Sequence, residues 1–183
     1  MRVISGSARG IKLEALEGLS TRPTTDRVKE ATFSMIQMKI YGSTSLDLFS
    51  GSGALGIELL SRGAETVTLV EEQSKARDII MKNLKKTNLT EKANVVGGDV
   101  YRFLSRYQGE PFDLILMDPP YLKGHIKQCL EMIEDRNLLS EGGLVVVEHD
   151  ISDPDVLMER NQIVSLKSKK YGKIGVTVFG RSS

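Results

Sequence analysis

From Ser43 onward, short apolar runs alternate with stretches of helical spacing. Thr44–Phe49, Thr66–Val70, Ala93–Gly97, Phe112–Met117 and Leu144–Glu148 read as strands. Several are apolar almost throughout, as strands covered on both faces are. Between them a glycine loop leads into a helix ending near Arg62. Ile79, Ile80 and Leu84 mark one side of a helix over Ser74–Thr87, and a further helix covers His125–Arg136. The helical pattern over Pro154–Arg160 is weak. Ile163–Lys170 and Ile174–Phe179, joined by Tyr171-Gly172-Lys173, read as a terminal hairpin. Repeated strand–helix units predict an α/β fold with a mostly parallel sheet, and the hairpin adds one antiparallel strand at or near an edge.

Upstream of these units the pattern changes. Arg2–Ser5 and Ile11–Ala15 flank Gly6-Ser7-Ala8-Arg9-Gly10 and predict a small N-terminal β-hairpin. Thr21-Arg22-Pro23-Thr24-Thr25-Asp26 is rich in turn and helix-cap residues, and Val28, Ala31, Met35 and Ile36 then recur with helical period. The expected organisation is one domain over residues 1–183, with a hairpin extension at 1–20 and the α/β core at 21–183.

Composition adds limits. At 183 residues, 40% hydrophobic and 27% charged, the chain has room for a substantial core. No run approaches a membrane span, and the first residues lack a signal-peptide pattern, so a cytoplasmic location is expected. The one cysteine, Cys129, falls among Ile126, Leu130 and Ile133 at helical spacing and reads as a core residue rather than a catalytic thiol. With His125 and His149 as the only histidines, no metal cluster is expected. Net charge is +1, but its distribution is uneven. Met1–Lys12 holds three basic residues and Arg160–Ser183 six, with no acid in either, which leaves −8 on the middle. Basic ends around an acidic centre suit a phosphate-binding surface beside a ligand pocket; solvated strand faces are the plainer alternative.

The chemistry concentrates at strand ends. Asp47-Leu48-Phe49-Ser50-Gly51-Ser52-Gly53-Ala54-Leu55-Gly56 carries G-x-G-x-x-G between a strand and a helix. That pattern lets backbone approach a nucleotide-type ligand at a helix N-terminus, and alone fits NAD, FAD or S-adenosyl-L-methionine (SAM). Glu71 ends the second strand where an acid accepts from ribose hydroxyls, with Glu72 as the adjacent alternative. Asp99 ends the third strand, placed to accept from an adenine amine while Val100 offers its N–H, or to cap the next helix. Asp47 is a carboxylate where dinucleotide enzymes usually carry an apolar residue. It suits a cofactor with a sulfonium and an ammonium.

Asp118-Pro119-Pro120-Tyr121 follows the fourth strand. Two prolines cannot continue a ladder, so the tetrapeptide forms a stiff loop at the carboxyl end of a strand. Asp118 and the Pro119 carbonyl can accept the two N–H groups of an exocyclic amine, while Tyr121 stacks on the base. This motif, downstream of a glycine loop, resembles that of SAM-dependent amino-methyltransferases.

The resemblance extends further. Met1-Arg2-Val3-Ile4-Ser5-Gly6 with Arg9-Gly10, Thr21–Glu30, Leu46–Gly53, Asp118–Tyr121 with Lys123-Gly124, and the Tyr171-Gly172 turn together resemble the bacterial 16S ribosomal RNA (guanine-N2)-methyltransferase family, RsmD. It implies a seven-stranded Rossmann-like methyltransferase sheet with helices on both faces. It also implies SAM as donor, S-adenosyl-L-homocysteine as product, and a guanine amine of 16S rRNA, within an assembling small subunit, as acceptor. Ser50, Gly51, Gly53 and Thr24 join Asp47, Glu71, Asp99 and Val100 as cofactor contacts. Arg2, Arg9, Lys12, Arg22, Arg27 and Lys123 become candidate RNA contacts, with the Arg22–Arg27 segment near the SAM carboxylate or the entering RNA. The alternatives are a DNA adenine or cytosine amino-methyltransferase, a non-catalytic nucleotide-binding module, and an NAD-dependent oxidoreductase. Asp47 and the proline loop speak against the last.

Overall fold

The structure is a computed structural model that describes residues 1–16, 26–158 and 160–182. Seven strands form one sheet: β1 (Thr44–Leu48), β2 (Thr66–Glu71), β3 (Ala93–Gly97), β4 (Phe112–Met117), β5 (Leu139–Asp150), β6 (Ile163–Tyr171) and β7 (Ile174–Arg181). Their order is β3-β2-β1-β4-β5-β7-β6. The first five are parallel, and β7 lies antiparallel between β5 and β6. Among the described residues five α-helices accompany them: α1 (Asp26–Ile36), α2 (Ala54–Ser61), α3 (Ser74–Thr87), α4 (Val100–Arg106) and α5 (His125–Asp135).

Two apolar layers sandwich the sheet. On one face Leu69, Leu114, Leu116, Val176 and Val178 pack with Phe33 and Ile36 of α1, Ile57 and Leu60 of α2, and Ile80 and Leu84 of α3. On the other, Ile115, Met117, Val145, Val147 and Phe179 pack with Leu104 of α4 and Ile126, Cys129, Leu130 and Ile133 of α5. The period-2 alternation of β4 sends neighbours to opposite layers, which is why a run apolar throughout is needed there. Cys129 is fully buried as a core residue. Helix α3 buries Ala76, Ile80, Asn83, Leu84 and Thr87 along one stripe and stops at Asn88, whose left-handed backbone returns its N–H to Leu84 and Lys85 carbonyls.

Two elements differ from the sequence pattern. Strand β5 begins at Leu139 rather than Leu144. The apolar pattern starts only after Gly142-Gly143, yet Leu139 pairs with Phe112 before a register irregularity lets Leu144 pair with Leu114. The N-terminal hairpin is reduced to one antiparallel bridge, Arg2 to Lys12, with no strand on either side. The Ile4 and Ser5 N–H groups donate to the Glu58 carboxylate at 2.9 and 3.0 Å rather than to a partner strand. The Ala8 N–H donates to Ser61 Oγ in the same way. The segment still pairs with itself through Val3 N–H to the Ile11 carbonyl, Gly10 N–H to the Val3 carbonyl and Leu13 N–H to the Met1 carbonyl, and it is at the same time moulded onto α2.

Between β1 and β4 the chain order reverses. In open α/β sheets the crevice beyond the carboxyl ends of the strands at such a switch point takes the ligand.

Candidate functional site

The carboxyl ends of β1 through β5 surround a cleft of about 780 Å³. Its wall brings together Gly51 after β1, Glu71 and Glu72 at β2, Asp99 and Val100 after β3, and Asp118-Pro119-Pro120-Tyr121 after β4. The volume lies in the range of small-molecule and cofactor sites.

The glycine loop is held from two sides. The Glu71 carboxylate accepts the N–H of Gly51 at 2.8 Å through Oε2 and that of Gln73 at 2.9 Å through Oε1. Each oxygen retains a further lone pair for a ligand hydroxyl. The Arg77 guanidinium donates to the carbonyls of Glu71 and Glu72 and fixes this corner. Beneath the loop, Asp47 is 1% exposed and accepts the Gly56 N–H at 2.9 Å, so it anchors the first turn of α2. Burial pushes its carboxyl up to about 7, with nearby Glu71 adding to the rise and the Gly56 hydrogen bond opposing it. Asp47 is therefore under the cleft floor, not on its wall. Ser50 is also buried, its hydroxyl donating to the Asp47 carbonyl at 2.7 Å. Gly53 adopts φ 79°, which favours glycine, and a Cβ there would press on Ile80 and Leu69 at 3.2–3.3 Å.

Asp99 caps α4, its Oδ1 accepting the Arg102 N–H at 2.9 Å, while also lining the cleft. The two roles proposed for it are compatible. Asp118 is half-buried, and its carboxyl is held well above the usual carboxylate range. Burial contributes most, followed by the charges of Glu148 and Asp47. Tyr121 donates its hydroxyl to Glu148 Oε1 at 3.1 Å. The loop beyond it is fastened by Asp153, which accepts the Leu122 N–H, and by Asp155, which accepts that of Lys127. Leu122 and Phe49 both have positive φ, an uncommon conformation for side chains of that size, and both adjoin the cleft motifs.

Several contributors were not legible in the motifs. Phe49, Tyr101 and His125 form an aromatic wall, with ring centroids 5.3 Å apart for Phe49–His125 and 5.9 Å for Tyr101–His125. The Tyr101 hydroxyl and His125 Nδ1 are hydrogen-bonded, and burial pushes the Tyr101 phenol up to about 12. Glu148 follows Val145-Val146-Val147 at the end of β5. An acid closing an apolar strand was the signal available for it. Asp150 and Lys173 complete the rim.

The candidate RNA contacts are distributed differently. Arg2, Arg9, Lys12, Arg27 and Lys123 are exposed and outside the cleft wall, with Arg2 paired to Asp26 at 2.9 Å. Arg22 and Thr24 lie outside the described residues. Among the described residues no group of His, Cys, Asp and Glu is arranged to hold a metal, and no helix is long and apolar enough to cross a membrane.

Known proteins resemble this chain along nearly its whole length. The family described as Conserved hypothetical protein 95 matches residues 1–180. The protein YlbH of Bacillus subtilis is 42% identical over 183 residues, covering 98% of each chain. Ribosomal RNA small subunit methyltransferase D of Escherichia coli is 36% identical, covering 100% of this chain and 91% of that protein. The solved structure of yhhF from Escherichia coli superposes with a TM-score of 0.86 at 33% identity, covering 100% of this chain and 98% of the other.

Proposed function

Because this chain belongs to the ribosomal RNA small subunit methyltransferase D family, we propose that it is a SAM-dependent methyltransferase. Its substrate on this reading is the exocyclic N2 amine of one guanine in 16S rRNA. The observation that carries the chemistry is the placement of Asp118-Pro119-Pro120-Tyr121 on the same cleft wall as Gly51, Glu71 and Asp99.

The residues present fit the cofactor. Glu71 offers carboxylate lone pairs for ribose hydroxyls, Asp99 an acceptor for an adenine amine, and Val100 its N–H. The buried carboxylate of Asp47 favours positive charge above the loop. When bound, SAM would supply an electrophilic methyl group, taken by the amine nitrogen as the carbon–sulfur bond breaks onto sulfur to give S-adenosyl-L-homocysteine, and the proton shed by the nitrogen would pass to the Asp118 carboxylate or to water.

The chain's own residues orient the nucleophile. A guanine amine is a poor nucleophile because its lone pair is delocalised into the ring. Asp118 accepts one N–H and the Pro119 carbonyl the other, which turns the remaining lone pair toward the methyl group and stabilises the positive charge developing on nitrogen. Tyr121 supports the base by stacking. A base reaches such a cleft only from a loop or after flipping out of its stack. Residues 1–183 are read as one catalytic unit acting on the small subunit during assembly, in the cytoplasm.

The test is methyl transfer from labelled SAM to small subunits from cells lacking this protein, followed by nucleoside analysis. A single new N2-methylguanosine is expected. Labelled N6-methyladenosine or N4-methylcytosine would keep the mechanism and overturn the substrate.

A further inference from the structure

We propose that edge strand β6, through Lys167 and Lys169 and leading to Lys173, is the track along which the phosphate backbone of the RNA substrate runs into the cleft. The inference rests on the methyltransferase reading for its choice of ligand.

Three observations carry it. The first is placement. Strand β6 is the outermost strand of the sheet, and Ser165 through Lys170 are exposed. Lys167 pairs with Val178 and Lys169 with Val176. Those valines belong to the core layer beneath α1, so both lysines stand on that face of the sheet. They lie roughly 7 Å apart along the strand.

The second is direction. Strand β7 runs antiparallel to β5 and starts where β5 ends, with Ile174 opposite Asp150. The turn at Tyr171-Gly172-Lys173 is therefore at the same end of the sheet as the proline loop. Its position is fixed, because the Ile151 N–H donates to the Lys173 carbonyl at 3.1 Å and Tyr171 packs against the core. Lys173 lines the cleft itself. The cations thus climb the edge strand toward the reacting loop.

The third is charge. Residues 160–183 carry six cations and no acid. Among the described residues no ion pair involves Lys167 or Lys169. Lysines on an edge strand also discourage pairing with other chains. That role needs neither a cation at the cleft rim nor the absence of acids over the whole segment. A row of lysines outside any ion pair, leading to the cleft, is what a single strand with one extruded base requires.

The experiment compares binding of small ribosomal subunits by the wild-type protein, by K167E/K169E and by K85E/K86E, across a salt series. The control pair makes the same change in net charge on α3, near the opposite edge of the sheet. For K167E/K169E, affinity at low salt is expected to fall about tenfold, and the slope of log affinity against log salt to flatten by about 1 to 1.5. SAM affinity and Tm should stay at wild-type values, which establishes that the variant is folded. K167Q/K169Q, expected to show the same direction at smaller amplitude, replaces it if the glutamates disturb β6. Unchanged subunit binding, or an equal loss in K85E/K86E, would overturn the track. The two readings fail separately. A wild-type protein that binds subunits through β6 but transfers no methyl group would remove the methyltransferase reading alone. Transfer with undiminished binding by K167E/K169E would remove the track alone.

Discussion

The hydroxyl of Tyr121 donates to the carboxylate of Glu148 across 3.1 Å, and Glu148 is 6% exposed. The tyrosine thus has a fixed ring plane before any base arrives. Tyr121→Phe keeps the aromatic face but removes this restraint and deprives a buried carboxylate of a donor, an effect of about 1–3 kcal/mol. We expect kcat for subunit methylation to drop about tenfold, on the order set by 1.4 kcal/mol, with SAM affinity unchanged. Tyr121→Ala should lose more, because stacking contributes about 1–3 kcal/mol per base. Wild-type kcat in Tyr121→Phe would show that the hydroxyl does not matter to transfer.

Asp118 must be ionised to accept the amine's N–H. Burial, Glu148 and Asp47 all raise its proton affinity. Methylation should therefore fall on acidification at a pH well above an ordinary carboxylate value. Glu148→Gln removes one negative neighbour, favours ionised Asp118, and should move that acid limb to lower pH. A limb that stays in place would separate Glu148 from the titration. Asp118→Asn should abolish transfer yet raise Tm at alkaline pH. A group whose folded pKa is raised favours the fold below its unfolded value, about 3.9. That contribution is lost as pH climbs through the folded value.

The same sign applies to Asp47, with a defined window. Its contribution to stability is present below about 3.9 and lost as pH rises through about 7. Asp47→Asn retains an acceptor for the Gly56 N–H but cannot ionise. The variant should be the more stable protein at pH 8, with the difference closing toward pH 4. Parallel stability curves for the two proteins over that range would contradict the burial argument.

How far these features were readable from the chain depends on their range. Strands β3 and β4 and helix α3 have the bounds expected from periodicity, because their burial is set by continuous local patterns. The glycine loop, Glu71, Asp99 and Asp118 were recognisable because each ends a strand, and parallel strands place their ends together. What was not readable depends on distant partners. Strand β5 extends through Gly142-Gly143 because Phe112 pairs with Leu139, a pairing no local pattern contains. The depth of Asp47 also depends on a distant partner, since its carboxylate accepts the Gly56 N–H below the cleft floor. The N-terminal segment keeps hairpin-type bonds between Val3 and Ile11 and between Leu13 and Met1, but Glu58 on α2 captures the Ile4 and Ser5 amides.

Glu71 ties the glycine loop to β2 through Gly51 and Gln73. Glu71→Ala removes the proposed ribose acceptor and frees both amides, so SAM affinity should weaken by about 1–3 kcal/mol, read by calorimetric titration. Glu71→Gln retains only one acceptor oxygen and should fall between. Unchanged affinity in Glu71→Ala would pass the role to Glu72, which also lines the cleft.

Lys29 and Glu58 form a buried ion pair at 2.9 Å, with side chains 1% and 0% exposed. Burial lowers the Lys29 ammonium, against the pull of Glu58. For Glu58 burial raises the carboxyl, but Lys29, the Ile4 amide and Arg62 outweigh it and hold it below its usual value. Glu58 also accepts from Ser5, and Lys29 donates to the Arg2 carbonyl at 3.0 Å, so one carboxylate clasps α1 and the N-terminal segment onto α2. Lys29→Met removes the fully buried cation and leaves the carboxylate only Arg62, at 2.8 Å, so the cost should lie toward the lower end of about 3–5 kcal/mol, measured by denaturant unfolding. In Lys29→Met with Glu58→Leu the charge is gone, so the double variant should be less destabilised than the sum of the singles. It should still release residues 1–13 to limited proteolysis, since the Ile4 and Ser5 amides lose their acceptor. Strict additivity, or an N-terminal segment as protected as in the wild type, would show that the clasp is not what holds it.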